Sequence, residues 1–356
     1  MNDDRRDDGR ARSPSRRSYL RGVGAAGAAG LTGLAGCLGG GGGGDGPVTV
    51  AYMPIYPDMQ YFVMQEEGYF DEINREVEGQ QFPSGPDIVK AFASGDIDVA
   101  MFGIVPAMIV IDRGIAAKVV AANIEEPMAI MAHEDFHPMW EGNDPADAFA
   151  QWEAETGERF QFGTFPEGSV PDILLRYWLI DTHGLEPGEA ADVLGLGGAS
   201  AVFQGLANGE VDGTSIMEPV PTRVEVEGLP YEPLALAGEF MPGQPAAVTL
   251  MKDGVRDTPF AEQFVEQHVR ATEFTNENPE TAAEHASAVI GEQNLPVETA
   301  RKAMESPLSN FISDPHSIES GTEIFAEYAH RLGKTDAELS TDQVFDYGPY
   351  DAVSGN

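Results

Sequence analysis

The sequence predicts an α/β protein made of two similarly built lobes, and three observations carry that expectation. Short β-rich runs alternate with helix-like runs from residue 48 onward, the pattern of strands feeding crossover helices in parallel sheets covered on both faces. Most of the 356 residues lie beyond a run of glycines at 39–44, enough chain for two lobes of ordinary size. Finally, Phe92-Ala93-Ser94-Gly95-Asp96-Ile97-Asp98-Val99 recurs 114 residues later as Leu206-Ala207-Asn208-Gly209-Glu210-Val211-Asp212-Gly213. Each copy joins an apolar helix end to a strand through a glycine suited to a left-handed C-cap.

The first strand is expected over 48–52, a β-rich run that stops before Pro54. A helix over 60–70 is closed by Gly68, and the next strand follows over 77–82. A short helix over 86–93 ends at Gly95, a strand occupies 97–102, a helix over 106–113 stops at Gly114, and a strand covers 118–122. The later half repeats the grammar: strand 160–165, helix 171–182, strand 191–196, helix 199–207 and strand 211–217. Ligands of open α/β sheets lie beyond the carboxyl ends of the strands. Those ends are Phe102-Gly103 in one lobe and Ile216-Met217-Glu218-Pro219 in the other.

The N-terminus reads as an address. Ser15-Arg16-Arg17-Ser18-Tyr19-Leu20-Arg21 resembles a twin-arginine export signal, and residues 22–36, all Gly, Ala, Leu, Val and Thr, form its apolar region. That region is too short to cross a hydrocarbon core, which takes about 20 helical residues. Leu34-Ala35-Gly36-Cys37 resembles a lipobox, in which the cysteine thiol is lipidated and becomes the new N-terminus. A buried cysteine beside an anchor helix is the competing reading, and it leaves the arginine pair unexplained. Residues 1–36 are thus expected to be a signal and 37–47 a lipidated, glycine-rich tether reaching on the order of 15 Å, which ties an extracytoplasmic body to the membrane.

Charge speaks for the habitat. The chain carries −38 overall, and its first 36 residues hold seven of the 21 basic residues but only four of the 59 acids, so the remainder stands at −41. Such self-repulsion weakens a compact state in dilute buffer, whereas molar salt shortens the Debye length to about 3 Å. Five lysines beyond Cys37 beside that acid excess point to a halophile. A hydrophobic content of 42% argues against disorder. Nucleic acid is not expected as a partner, because phosphates would be repelled.

Several stretches taken together resemble a known family. Glu67-Gly68-Tyr69-Phe70 follows the first helix. Ala93-Ser94-Gly95-Asp96-Ile97-Asp98-Val99-Ala100 leads to Gly103 and Pro106, Gly168-Ser169 precedes a helix, and Asn208-Gly209-Glu210-Val211-Asp212 leads to Glu218-Pro219. In order and spacing they are similar to the type II periplasmic solute-binding proteins of ABC importers, in the branch of nitrate, taurine, alkanesulfonate and thiamine-pyrimidine binders. The resemblance implies two Rossmann-like lobes joined by two crossing strands, near 127–132 and 246–252, that close over a small polar solute. Lobe I would comprise 48–127 and 253–356, lobe II 128–252, with helices from 259 to 332 packing mainly on lobe I. It further implies a monomer serving an ABC permease and its ATPase, with no cofactor.

Candidate ligand contacts follow. Gly168-Ser169-Val170-Pro171 has the form of a helix start, with Ser169 as N-cap and Pro171 in the first turn, so its free amides and the helix dipole would attract an anion. Phe102-Gly103 and the turn to Pro106 offer a second start from the other lobe; plain capping serves each turn equally well. Tyr52, Pro54, Tyr56, Asp58 and Gln60 occupy the loop after the first strand, where the resemblance puts a stacking aromatic at Tyr52 and a polar contact at Asp58. Tyr52 as a strand-end core residue stays open. Glu218 would take an amine or ring N–H, or tie down its own loop.

Other conspicuous groups are expected to be chemically idle. The run His133-Glu134-Asp135-Phe136-His137 reads as a solvated loop and Trp178 as core. Enzymes on this fold rely on cysteines that the chain beyond residue 37 lacks, and no serine elbow or phosphate loop replaces them. A receptor presenting its ligand to a membrane sensor is the remaining alternative to transport.

Overall fold

The computed structural model describes residues 46–355. The export signal and Cys37 lie outside the described residues. The described residues hold ten strands: β1 (Val48–Tyr52), β2 (Val77–Gln81), β3 (Val99–Gly103), β4 (Ala117–Ala122), β5 (Met128–His133), β6 (Phe160–Thr164), β7 (Ala191–Gly195), β8 (Gly213–Met217), β9 (Tyr231–Leu236) and β10 (Ala247–Lys252). They form two five-stranded sheets, ordered β2-β1-β3-β10-β4 and β7-β6-β8-β5-β9.

Neither sheet is wholly parallel, which corrects the expectation from the alternating pattern. β1 runs parallel to β2 and β3, but β10 is antiparallel to β3 and β4; β6 runs parallel to β7 and β8, but β5 is antiparallel to β8 and β9. The reason is the route of the chain. Strand β5 enters the second sheet directly after the chain has left the first, and β10 enters the first after leaving the second, so each arrives reversed. The passages between sheets are short and lie side by side at 123–127 and 241–246. They are tied by a Glu125–Pro245 bridge and by Glu126 N–H donating to the Gln244 carbonyl at 2.9 Å. The stretches expected to cross, 127–132 and 246–252, are therefore mostly sheet strands.

The repeated octapeptide has one structural meaning in both places. Gly95 (φ 91°) closes the helix Gly85–Ser94 and Gly209 (φ 66°) follows the helix Ala199–Ala207, in the left-handed region that favours glycine. Asp98 then accepts the Thr49 N–H at 3.1 Å while its own N–H donates to the Thr49 carbonyl at 3.0 Å. Asp212 does the same with Gln161, at 2.8 Å in both directions. Each aspartate thus fastens its strand to the neighbouring parallel strand.

Two apolar clusters fill the body. Phe136, Phe149, Trp152, Phe160, Phe162 and Trp178 form an aromatic centre in the second, where Trp178 is 1% exposed, as expected of a core residue. Each such side chain contributes roughly 1.5–3 kcal/mol by leaving water. Of His133 to His137 the middle is a turn with Glu134 and Asp135 exposed, as expected, but His133 ends β5 and His137 opens the helix His137–Gly142, because Phe136 and Met139 are drawn into this core and Pro138 suits a first turn. The expected helix over 171–182 is Val170–Tyr177 continued by a wider π-type turn at Trp178–Thr182.

The C-terminal helices pack mainly, though not only, beside the first sheet. Pro259–Glu277 and Pro279–Ile290 pack on the helix Met59–Glu66 beside β1, but Val297–Met304 packs on Val220–Glu227 after β8. Glu319–Arg331 touches both Ile104–Asp112 and Val170–Tyr177, one helix from each sheet.

Candidate functional site

The loops at the carboxyl ends of β1, β3, β6 and β8 face one another across the crossing. Gly103, at the start of the helix Ile104–Asp112, lies so close to Val170, at the start of Val170–Tyr177, that a β-carbon on Gly103 would sit 3.5 Å from Val170 Cγ2. The two helix starts singled out in the sequence do converge. The amide of Ile104, however, already donates to the Ala246 carbonyl at 2.9 Å. Phe102 is fully buried and lies parallel to Phe92 with centroids 6.3 Å apart, so it belongs to the core and not to a ligand surface.

The loop after β1 divides by depth. Tyr52 stacks on Tyr61 at 3.7 Å and points its hydroxyl at Gln81 Oε1, 3.4 Å away, so its face is covered by the protein itself. Pro54 is half-buried. Tyr56 is 1% exposed, its hydroxyl 2.8 Å from Ser309 Oγ and 2.8 Å from Met304 Sδ, and burial pushes its pKa up. Asp58 and Gln60 are completely buried.

These last two belong to a polar network that the sequence did not disclose. Asp58 accepts the Met53 N–H at 3.1 Å and the Asn123 Nδ2–H at 3.4 Å, and burial raises its carboxyl well above the usual range. Asn123 Oδ1 accepts the Thr249 hydroxyl at 2.9 Å and lies 3.1 Å from His268 Nε2. An acceptor there makes Nε2 the protonated nitrogen, leaving Nδ1 to accept from Ser313 Oγ at 2.9 Å. Gln60 Nε2 donates to the carbonyls of Asn123 and Ile312 and to Thr272 Oγ1, at 2.7, 3.1 and 3.0 Å. The chain of bonds joins the β1 loop, the end of β4, the helix Pro259–Glu277 and the segment around Ser313. His268, pushed down to about 3 by burial, is neutral within it. Asn123, His268, Thr272 and Ser313 carry no sequence pattern, since they come from separate elements.

From the second sheet, Glu218 is 2% exposed and its carboxylate is engaged. It accepts the Thr222 N–H at 3.2 Å and the Thr222 hydroxyl at 3.0 Å, capping its own helix, and the Ser306 side chain favours its charged form. Burial raises its pKa despite these donors. At the other helix start, Ser169 is the N-cap, its Oγ accepting the Asp172 N–H at 3.4 Å. The Gly168 amide, however, donates to the Asp172 carboxylate at 2.8 Å. A concavity of about 460 Å3, walled chiefly by Glu323, Glu327, Glu338 and Ser340, includes none of these residues.

The arrangement is two mixed α/β sheets, two adjacent crossings, and buried polar loops from both sheets meeting over them. A sequence model of the NMT1-like family matches residues 42–290. The chain belongs to the NMT1-like family. None of the curated proteins compared with it matches. Solved structures carry the same fold as this NMT1-like chain at low identity. One is the nitrate-binding protein NrtA of Synechocystis, at TM-score 0.70 and 16% identity, covering 87% of this chain and 88% of its own. Another is the aliphatic sulphonate binding protein SsuA of Escherichia coli, at 0.68 and 14%, covering 84% and 92%. A third is a ligand-binding component of an ABC-type import system from Staphylococcus aureus, with zinc bound, at 0.68 and 18%, covering 87% and 100%.

Proposed function

We propose that this NMT1-like protein is the extracytoplasmic solute-binding component of an ABC importer, which captures a small polar solute between its sheets and hands it to a permease driven by its ATPase. The observation that carries the reading is the meeting of the β1, β3, β6 and β8 loops from opposite sheets beside two adjacent antiparallel crossings, the geometry of lobes that open and close about a hinge. Membership of the family and the solute-binding proteins that share the fold support it. In this reading lobe I is 48–127 with 253–356 and lobe II is 128–252, except that β10 belongs to the first sheet and so to lobe I; the body is monomeric, and it binds without catalysing.

Its place in the cell rests on the N-terminal sequence. The arginine pair Arg16-Arg17 directs export, Cys37 takes the lipid, and residues 37–47 tether the body to the outer face of the membrane. Among the described residues no helix is long and apolar enough to cross a membrane, so the anchor falls to the segment before them. A body charge of −41 suits a saline exterior.

A melting-temperature panel in molar KCl tests the reading, with nitrate, bicarbonate, taurine, alkanesulfonates, aminopyrimidines, riboflavin and amino acids. The cognate solute is expected to raise the transition in a concentration-dependent way. A panel in which no solute of any charge moves it would overturn solute binding.

A further inference from the structure

An anion held at the start of the helix Val170–Tyr177 would need its first amides, its positive end and a nearby cation. Those resources are already committed. Asp172, 1% exposed, accepts the Gly168 N–H at 2.8 Å and the Arg176 Nε–H at 2.9 Å with the same carboxylate oxygen. The Ser169 amide donates to the Pro166 carbonyl, the Asp172 amide to Ser169 Oγ and the Ile173 amide to the Ser169 carbonyl, while Pro171 has no N–H. Among the amides from Gly168 to Ile173, only the Val170 N–H is left. Lys334 pairs with Glu167 at 3.1 Å, and its methylenes lie so close over Gly168 that a β-carbon there would collide with them. At the facing helix start the Ile104 amide is bound to the Ala246 carbonyl and Pro106 has no N–H, which leaves one amide there, that of Val105.

We infer that Asp172 is a specificity-determining residue: its carboxylate sits where an anionic solute group would sit, so the cleft rejects sulfonate, nitrate and other anions and accepts hydrogen-bond-donating solutes without net negative charge, such as amines or amino-substituted rings. The inference rests on the solute-binding reading and assigns the charge of what is bound. An acid at this point of a helix is usually a cap on its own first turn. Asp172 differs in reaching outside the helix to Gly168 and back to Arg176, which uses up the local guanidinium as well. The other buried groups of these loops add no cation. Asp58 and Glu218 are carboxyls whose oxygens already accept bonds within the protein, and Gln60 Oε1 is a fully buried acceptor without a partner, which favours a donor over a further anion.

The test exchanges nitrate or methanesulfonate for chloride at constant ionic strength and follows the melting temperature of the wild type and of Asp172→Ala. The wild type is expected to show no saturable rise. The folded Ala variant, with the Gly168 amide and Arg176 released, is expected to bind methanesulfonate at least tenfold more tightly than the wild type. Should Asp172→Ala not fold, Asp172→Asn keeps the shape and one acceptor while deleting the charge, and the same direction is expected. A saturable rise of the wild type with either anion overturns the assignment while upholding solute binding. A folded Asn or Ala variant as indifferent to anions as the wild type also overturns it.

Discussion

Tyr56 and Glu218 come from opposite sheets and meet one turn: the Tyr56 hydroxyl lies 2.8 Å from Ser309 Oγ, and the Ser306 side chain of the same turn favours the charged form of the Glu218 carboxyl. The turn after the helix Val297–Met304 therefore clasps the β1 loop to the start of Val220–Glu227, and Lys302 adds an ion pair to Glu225 at 2.7 Å. Both side chains, picked from the sequence as ligand contacts, are engaged by the protein itself. Tyr56→Phe should lower stability by about 0.5–1.5 kcal/mol, and Glu218→Ala by about 1.5–3 kcal/mol, because it strands the Thr222 amide in a buried place. Denaturant titration in molar KCl measures both, and strictly additive losses in the double variant would refute a shared clasp.

His268 makes the fold sensitive to acid. Its folded pKa of about 3 is below the unfolded value near 6.5, so the unfolded state binds the extra proton as pH falls, and stability drains from about pH 6.5 downward. The slope is at most about 1.4 kcal/mol per pH unit from this group. Asp58, shifted upward, acts with the opposite sign: its folded carboxyl keeps a proton that the unfolded one has lost, so its contribution improves as pH falls. Comparison with His268→Gln isolates the histidine. The wild type should lose stability relative to the variant between pH 6.5 and 4; parallel profiles would rule this out.

Gly213 occupies the repeat position that Val99 fills in the first sheet. A β-carbon there would come within 2.9 Å of the Phe160 ring and as near as 2.5 Å to the Met131 carbonyl oxygen, backbone that cannot step aside. Gly213→Ala is expected to cost about 1–3 kcal/mol or more as overpacking. A melting temperature equal to wild type would show that the strands separate more easily than their packing implies.

Dilution of salt should unfold the body, given −41 on about 320 residues. Far-UV circular dichroism during dialysis from molar to low millimolar KCl is expected to lose its helical signal. A spectrum unchanged throughout contradicts the salt-dependent stability.

Anchoring should depend on Cys37 and export on Arg16 and Arg17. Cys37→Ser is expected to leave the protein unprocessed or released into the medium, read by fractionating cells. Recovery of a processed variant in the membrane fraction would sink the lipid anchor.

Periodicity and glycine placement were enough to locate most strands and the helices between them. The helix closed by Gly95, the helix Ala199–Ala207 and the twin aspartates Asp98 and Asp212 were legible because their determinants are local: a left-handed residue ends a helix wherever it stands. The direction of β5 and β10 was not legible, because an antiparallel neighbour is chosen by where the chain has come from, which lies outside any window of sequence. The same division holds for the site. Sequence alone singled out Tyr56, Asp58, Gln60, Gly103, Gly168, Ser169 and Glu218, and the fold does bring their loops together. Only the tertiary structure decided what each group is bonded to. Asp172 reaches Gly168 from one turn further on, Ser306 and Ser309 arrive from a distant helix end, and His268 meets Asn123 across 145 positions. A polar group's partners are set by three-dimensional proximity in a dry interior, where every donor and acceptor must be matched, and that matching has no signature along the chain.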